Sequence, residues 1–271
     1  MAVVAELRGS NYDAVLDLQG LVKSASVARL AGGARTIGFV RDQLREPAAR
    51  FFYTETVTAP DGAHVITKNL SALSAFGVTP GDPVFDLALP PSAAVQRVVD
   101  AAGEAGYAVV NPGAAWPNKR WPPERFGALA TRIRQQHQLP SLVAWGPGEE
   151  ATADAVVATS DGAASLAPPT TVPELFALMR GARVAIAGDT GPLHIATAVG
   201  TPVVALFGPT WPARNGPWCA EDISVSRADS CECHYQRQCR RANPCIDDIT
   251  VDEVAEAVTM RVRREGQGRP S

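Results

Sequence analysis

No cysteine precedes residue 219, no uninterrupted apolar stretch reaches the length of a membrane span, and no Lys/Arg-rich tract is long enough to make a basic face. The first absence excludes the even-numbered disulfide framework of a small secreted domain. The second, with no charged-then-apolar leader at Met1, makes the cytoplasm the default expectation. The third, with a formal net charge of −3, excludes a general nucleic-acid binder, which needs concentrated positive charge to release counterions. A Walker phosphate loop, G-x-G-x-x-G and a D-x-D carboxylate pair are also missing. Nucleotide hydrolysis and hydride transfer therefore lose support, and so does a metal ion clamped on a diphosphate.

What remains is an ordinary α/β composition. With 271 residues, 46% hydrophobic and 20% charged, the chain can form one large or two small domains. Strand-like and helix-like runs alternate, the pattern of a mainly parallel sheet covered on both faces. "AVLDL" (14 to 18) precedes a helix near 20 to 31, and "TIGF" (36 to 39) precedes irregular chain and a helix in "HVITKNLSALSAFG". The Pro/Gly/Asp-rich "VTPGDPVFDLALPPS" (78 to 92) breaks the periodicity and reads as a linker. Beyond it come a helix near 93 to 103, the strand "YAVVN", a helix over 123 to 137, "SLVAW", helices from 150 and in "TVPELFALMRGA", and a capped amphipathic helix in "TVDEVAEAVTMRVRR". The expected division is a partial domain at 1–85 and a complete Rossmann-like domain at 86–271. Two or three strands in the first half against roughly five in the second leave that first sheet with unpaired edges, so it reads as incomplete.

Three loops carry candidate chemistry. In "GDTGPLHIATAVGTPVVALFGPT" (188 to 210) a strand, turn, helix and strand follow one another, with Asp189 or Thr190 as expected helix caps and Pro192 near the first helical position. Free N–H groups at that helix start suit a phosphate at the carboxyl end of a parallel strand. "NPGAAWPNKRWPPERFGALA" (111 to 130) keeps its loop narrow with Gly113, Ala114 and Ala115 and sets Lys119 and Arg120 at the same rim; the alternative is a tight turn with solvated cations and Trp116 and Trp121 packing it. "WGPGEE" (145 to 150) adds Glu149 and Glu150, which can bind ribose hydroxyls or favour a helix first turn. Together they describe a nucleotide-diphosphate pocket in which Lys119, Arg120 and helix N-termini neutralise the charge, with no metal site and no cofactor. His194, inside the helix, reads as a packed core residue or a ligand contact, and Asp189 as a helix cap or an acceptor from sugar hydroxyls.

The five cysteines crowd into Cys219, Cys231, Cys233, Cys239 and Cys245. From Cys231 on, their spacings of one, five and five residues differ from the two close pairs of a zinc site. A plain structural loop is the leading reading, ahead of a metal or redox site.

The stretches "YDAVLDLQGLVKSASVARLAGGARTIGF", "NPGAAWPNKRWPPERFGALA", "GDTGPLHIATAVGTPVVALFGPTWPARNGPW" and "CECHYQRQCRRANPCIDDITVDEV" resemble, in this order, the motifs of the lipopolysaccharide heptosyltransferases, glycosyltransferase family 9. The resemblance implies a GT-B architecture: two Rossmann-like domains, the donor nucleotide sugar in the C-terminal one, the acceptor in the N-terminal one, and a terminal helix crossing back. It implies inverting, metal-independent transfer from ADP-heptose to the lipid A inner core, in the cytoplasm and with peripheral contact to the inner membrane. Position by position it implies donor contacts at Ala114, Ala115, Lys119, Glu149, Glu150, Asp189, Thr190, Gly191 and His194, and acceptor-side roles for Asp17, Gln19 and Lys23. The family's first strand and Gly-Asp turn, which supply the general base, match nothing here, so Asp17 is the substitute candidate. Two alternatives stand beside this: a GT-B enzyme with a different sugar donor, and a nucleotide-sugar-binding remnant without catalysis.

Overall fold

The computed structural model describes residues 2–87, 89 and 91–265. The chain divides into two compact units, Met1–Val84 and Phe85–Ser271. Among the described residues no helix is long and apolar enough to cross a membrane.

The first unit contains α1 (Ala2–Gly9), β1 (Ala14–Leu16), α2 (Val22–Leu30), β2 (Arg35–Phe39), β3 (Glu55–Val57) and α3 (Val65–Ser71). Its three strands form a parallel sheet in the order β1-β2-β3, with Val15 opposite Thr36 and Gly38 opposite Thr56. Ala25, Ile37, Phe39, Ala49 and Tyr53 make its core. Gly38 is required there: a β-carbon would lie 2.3 Å from the Tyr53 ring, so only a bare backbone lets that ring cross the sheet. β3 and α1 form where the sequence pattern gave no element.

The second unit follows with α4 (Ala93–Ala102), β4 (Ala108–Asn111), α5 (Pro123–His137), β5 (Ser141–Val143), α6 (Glu150–Ala158), β6 (Ala164–Leu166), α7 (Val172–Arg180), β7 (Val184–Gly188), α8 (Gly191–Ala198), β8 (Val203–Phe207), α9 (Pro212–Asn215), β9 (Ile223–Ser226) and α10 (Val251–Glu265). All six strands are parallel, in the order β6-β5-β4-β7-β8-β9. β4, β7 and β8 are buried along their whole length, which is why they read as continuous apolar runs rather than alternating ones. One core, with Phe126, Leu129, Ile186 and Val204, covers one face, and another, with Tyr107, Val109, Leu178 and Phe207, covers the other. α10 is capped as its sequence predicts, Thr250 Oγ1 accepting from Glu253 N while Glu253 Oε2 accepts from Thr250 N. Its buried side chains Val254, Ala255, Ala257 and Val258 join the first of these cores.

The strand order fixes where a ligand can enter. From β4 the chain moves outward through β5 and β6, then returns to β7 on the other side of β4 and moves outward again through β8 and β9. The loops leaving β4 and β7 therefore part in opposite directions, opening the crevice in which open parallel sheets bind ligands.

Candidate functional site

Residues from each of the three loops line that crevice. Asn111 at the end of β4, Gly113, Ala114 and Ala115 after it, Gly146 and Glu149 after β5, and Thr190 and Gly191 after β7 line a cavity of about 310 Å³, whereas Lys119, Arg120, Asp189 and His194 are not among its lining residues. Thr170, Thr171 and Leu175 close another side. Asn111, not assigned from sequence, ties β4 to β5 by donating from Nδ2 to Ala144 O at 3.0 Å, and its Oδ1 faces Thr190 Oγ1 at 3.5 Å. A polar residue ending an otherwise apolar strand was the available signal.

The loop glycines permit close approach. A β-carbon on Gly113 would lie 2.2 Å from Glu149 Oε1, so Glu149 lies against the bare backbone of the opposite loop. Glu149 also closes its own turn, Oε2 accepting from Gly146 N at 3.0 Å. Of the two expected ribose ligands, Glu149 lines the cavity, whereas Glu150 begins α6 and does not.

Lys119 corrects the expectation of a free, exposed cation. Its Nζ donates to Asp189 Oδ2 at 2.5 Å and sits 4.6 Å from the centre of the Trp116 ring, with its side chain only 14% exposed. Arg120 is also committed, Nε donating to Ala114 O at 2.7 Å and so fixing the narrow loop. Trp121 packs in the core, its Nε1 donating to Ile249 O at 3.0 Å.

Asp189 and Thr190 do not cap α8, contrary to expectation. Thr190 stands at the N-cap, but no side chain accepts from the first turn, and its hydroxyl turns back to Gly188 O at 3.2 Å. The leading N–H groups of α8 thus lack a side-chain partner, with Pro192 contributing none. Asp189 is occupied elsewhere: besides Lys119 it accepts from Thr210 Oγ1 at 2.7 Å, and His194 Nε2 lies 3.8 Å from its Oδ1. Burial alone would raise its pKa, but the His194 imidazole, the Lys119 ammonium and the Thr210 hydroxyl together hold it well below the usual carboxylate range. His194 is not a core residue; its side chain is 47% exposed beside this carboxylate. Thr210 was part of the quoted motif but had no role assigned, because its partner lies across the sheet end.

In the first unit, Asp17 also receives a different task from the one expected. It is buried, and Oδ1 accepts from Gln19 N (3.0 Å) and Gly20 N (3.3 Å) while Oδ2 accepts from Ser24 Oγ (3.0 Å) and Tyr53 Oη (2.7 Å). Both oxygens are filled by donors that fix the turn between β1 and α2, which leaves neither free to take a proton from an acceptor. Gln19 and Lys23 are exposed and line a largely apolar cavity of about 660 Å³ with Tyr12, Leu21 and Val27.

The chain has counterparts among known proteins. Residues 1–244 match the model of glycosyltransferase family 9 (heptosyltransferase). Lipopolysaccharide heptosyltransferase 1 of Pseudomonas aeruginosa is 30% identical over 240 residues, which are 86% of this chain and 64% of that protein. The chain thus spans just under two thirds of that relative's length. The solved structure of E. coli heptosyltransferase WaaC with ADP matches with a TM-score of 0.71 at 24% identity, covering 96% of this chain and 76% of that one. The same enzyme with ADP-2-deoxy-2-fluoro heptose matches with a TM-score of 0.69 at 23% identity, covering 95% and 75%. These two show the fold, an α/β arrangement of the GT-B type. With its motifs in family order, its parallel sheets and nine tenths of its length inside the family model, the chain belongs to glycosyltransferase family 9 (heptosyltransferase).

Proposed function

We propose that this chain binds ADP-heptose in the β4/β7 crevice and serves in its transfer to the lipopolysaccharide inner core, with inversion at the anomeric carbon and no metal on the diphosphate. The observation that carries the reading is the cavity that Gly113, Ala114, Ala115, Glu149, Thr190 and Gly191 line at the uncapped start of α8, with the Lys119–Asp189 ion pair adjoining it in sequence at Thr190. Lys119 supplies the cation that a metal-independent site needs, and the α8 N–H groups supply donors for phosphate oxygens. Gly191 lets the diphosphate approach the backbone, since nothing stands within 4 Å of the place its β-carbon would take. The narrow Ala114–Ala115 loop passes beside it, and Glu149 takes the ribose hydroxyls. His194, beside Asp189, adds a second donor toward the phosphates or the sugar. Gln19 and Lys23 remain the acceptor-side residues. A cytoplasmic location with peripheral contact to the inner membrane goes with a lipid-borne acceptor and rests on the relatives' names alone.

Calorimetric titration with ADP tests the donor site, and transfer of labelled heptose to a heptose-deficient lipopolysaccharide tests the reaction. Binding that is tenfold or more weaker in Lys119→Ala supports the assignment, and unchanged binding removes Lys119 from the site. One observation favours a second reading. Asp17 is saturated by four donors and offers no base, and a missing general base costs about 10² to 10⁴ in rate. Donor binding without measurable transfer would identify the chain as a nucleotide-sugar-binding protein, whereas transfer lost in Asp17→Asn would return the base to Asp17.

A further inference from the structure

The cysteine segment folds into something its spacing did not predict. Cys231, Cys233 and Cys245 are all buried and form a small core of their own, against which the half-buried Cys239 packs. No Leu, Ile, Val or Phe joins this cluster among the described residues. Cys231 follows the short 3₁₀ turn Ala228–Ser230, Cys245 opens the turn Cys245–Asp248, and Cys233 and Cys239 lie on the irregular chain between them. All four are free thiols, as is the exposed Cys219, which donates instead to Glu221 Oε2 at 2.6 Å.

We propose that Cys231, Cys233, Cys239 and Cys245 are the four ligands of a structural site for a thiophilic divalent cation of the zinc type. A core built only from thiols buries little apolar surface, so packing alone gives a weak reason for gathering four of them. The Cys231 and Cys233 sulfurs lie 3.7 Å apart. Zinc–sulfur bonds of about 2.3 Å in a tetrahedron set sulfur–sulfur edges of about 3.8 Å, so one edge of the site already has its length. No group of three or more His, Cys, Asp or Glu among the described residues is placed to hold a metal ion. The proposed site therefore requires Cys239 and Cys245 to close onto the Cys231–Cys233 edge.

One M²⁺ replaces four thiol protons, forming four metal–sulfur bonds, releasing four H⁺ and leaving a net charge of −2 with no change of oxidation state. Arg241, which lies within electrostatic reach of Cys239 and Cys245, offsets part of that charge.

The site would brace the donor crevice. Gln236, between the second and third ligands, accepts at its carbonyl from Asn118 Nδ2 at 2.8 Å, next to Lys119. Tyr235 N donates to Pro209 O at 3.1 Å, next to Thr210. The cysteine segment thus ties together the chain on either side of the Asp189 carboxylate. This consequence rests on the donor-site reading; the cation site itself does not.

The test is titration of the reduced, metal-free full chain with Co²⁺ alone. The proposal expects saturation at one equivalent, sulfur-to-cobalt charge-transfer and tetrahedral visible bands, displacement by Zn²⁺, and release of about four protons. The intensity of the charge-transfer band counts thiolate ligands in the wild-type chain, so the result does not depend on variants that fold. Cys233→Ser and Cys245→Ser should lose the four-thiolate spectrum, and Cys219→Ser should keep it. Absence of a tetrathiolate spectrum in the wild-type chain, or its survival in both Cys233→Ser and Cys245→Ser, would overturn the assignment. Weaker ADP binding in a chain that has lost its metal would establish the brace; unchanged ADP binding would remove the brace and leave the cation site standing.

Discussion

Each unit places an aspartate just beyond the carboxyl end of a parallel strand, at the turn into a helix, and the two turns put it to opposite uses. After β1, Asp17 is enclosed by two backbone N–H groups, a serine hydroxyl and the Tyr53 phenol, all uncharged. After β7, Asp189 faces a lysine, a threonine and a histidine, two of which can carry charge. The first carboxylate is satisfied within its own unit and completes a turn. The second is held in place through an ion pair with Lys119. The same residue at the same point of a βα turn is held mainly by its own turn in the first unit, and by Lys119 and Thr210 from distant segments in the second.

The largest expected effect comes from separating Lys119 from Asp189. Lys119→Ala leaves a nearly buried carboxylate short of its cation, which should cost about 3 kcal/mol of stability in urea melts. It should also weaken ADP binding roughly ten- to a hundredfold, as expected for the loss of a charge-assisted contact. Removing Asp189 as well should restore much of the stability but not the affinity. If the double variant recovers both, the lysine serves only the fold.

In the other turn, Tyr53→Phe removes the phenol donor from Asp17 and should cost about 1–3 kcal/mol. The loss should appear as faster amide exchange across residues 14–57, with protection across 184–207 unchanged. Equal acceleration in both strand sets would mean that the two turns are energetically one system. Burial and the Asp17 carboxylate both raise the Tyr53 pKa, so no ionisation of this phenol is expected in the folded range.

Acid tests the second turn. The Asp189 pKa is depressed on folding, so its ion-pair contribution is complete above the unfolded value of about 3.9 and is lost as pH falls toward the folded one. Stability measured at pH 5, 4 and 3 should fall more steeply below about pH 4 in the wild-type chain than in Asp189→Asn. Identical slopes would show that Asp189 is not the carboxylate that couples protons to folding. The smallest expected effect is at Glu149→Gln, whose remaining oxygen can still accept from Gly146 N. Stability should stay within about 0.5 kcal/mol while ADP affinity drops a few-fold, as expected for a hydrogen bond that has lost its charge.

Much of the second unit was legible in the sequence because β4, β7 and β8 are buried along their whole length and lie in apolar stretches, and α5 and α10 have helical periodicity with proper starts. β3, β6 and β9 were not. They have three or four residues each, and β6 and β9 are edge strands with mixed burial, too short and too polar to show a period. Among the site residues, the loops and their glycines could be found because turns announce themselves locally. The commitments of the side chains could not. Lys119 and Asp189 are 70 residues apart, Asp17 and Tyr53 are 36 apart, and the strand order decides which of them meet. The cysteine spacing likewise concealed that four cysteines separated by one, five and five residues pack as one cluster, because the chain between them is irregular.

The carboxylate of Asp189 is the meeting point of three chain segments: the loop after β4 through Lys119, the start of α8 through His194, and the loop after β8 through Thr210. One anionic group therefore sets the spacing of three loops that share no covalent neighbourhood. Substitutions at positions 119, 194 and 210 act on a common node, so their energies should not sum. In sequence terms these are separate motifs, but in energetic terms they are one residue's environment. Divergence at any one of them is then constrained by the state of the other two.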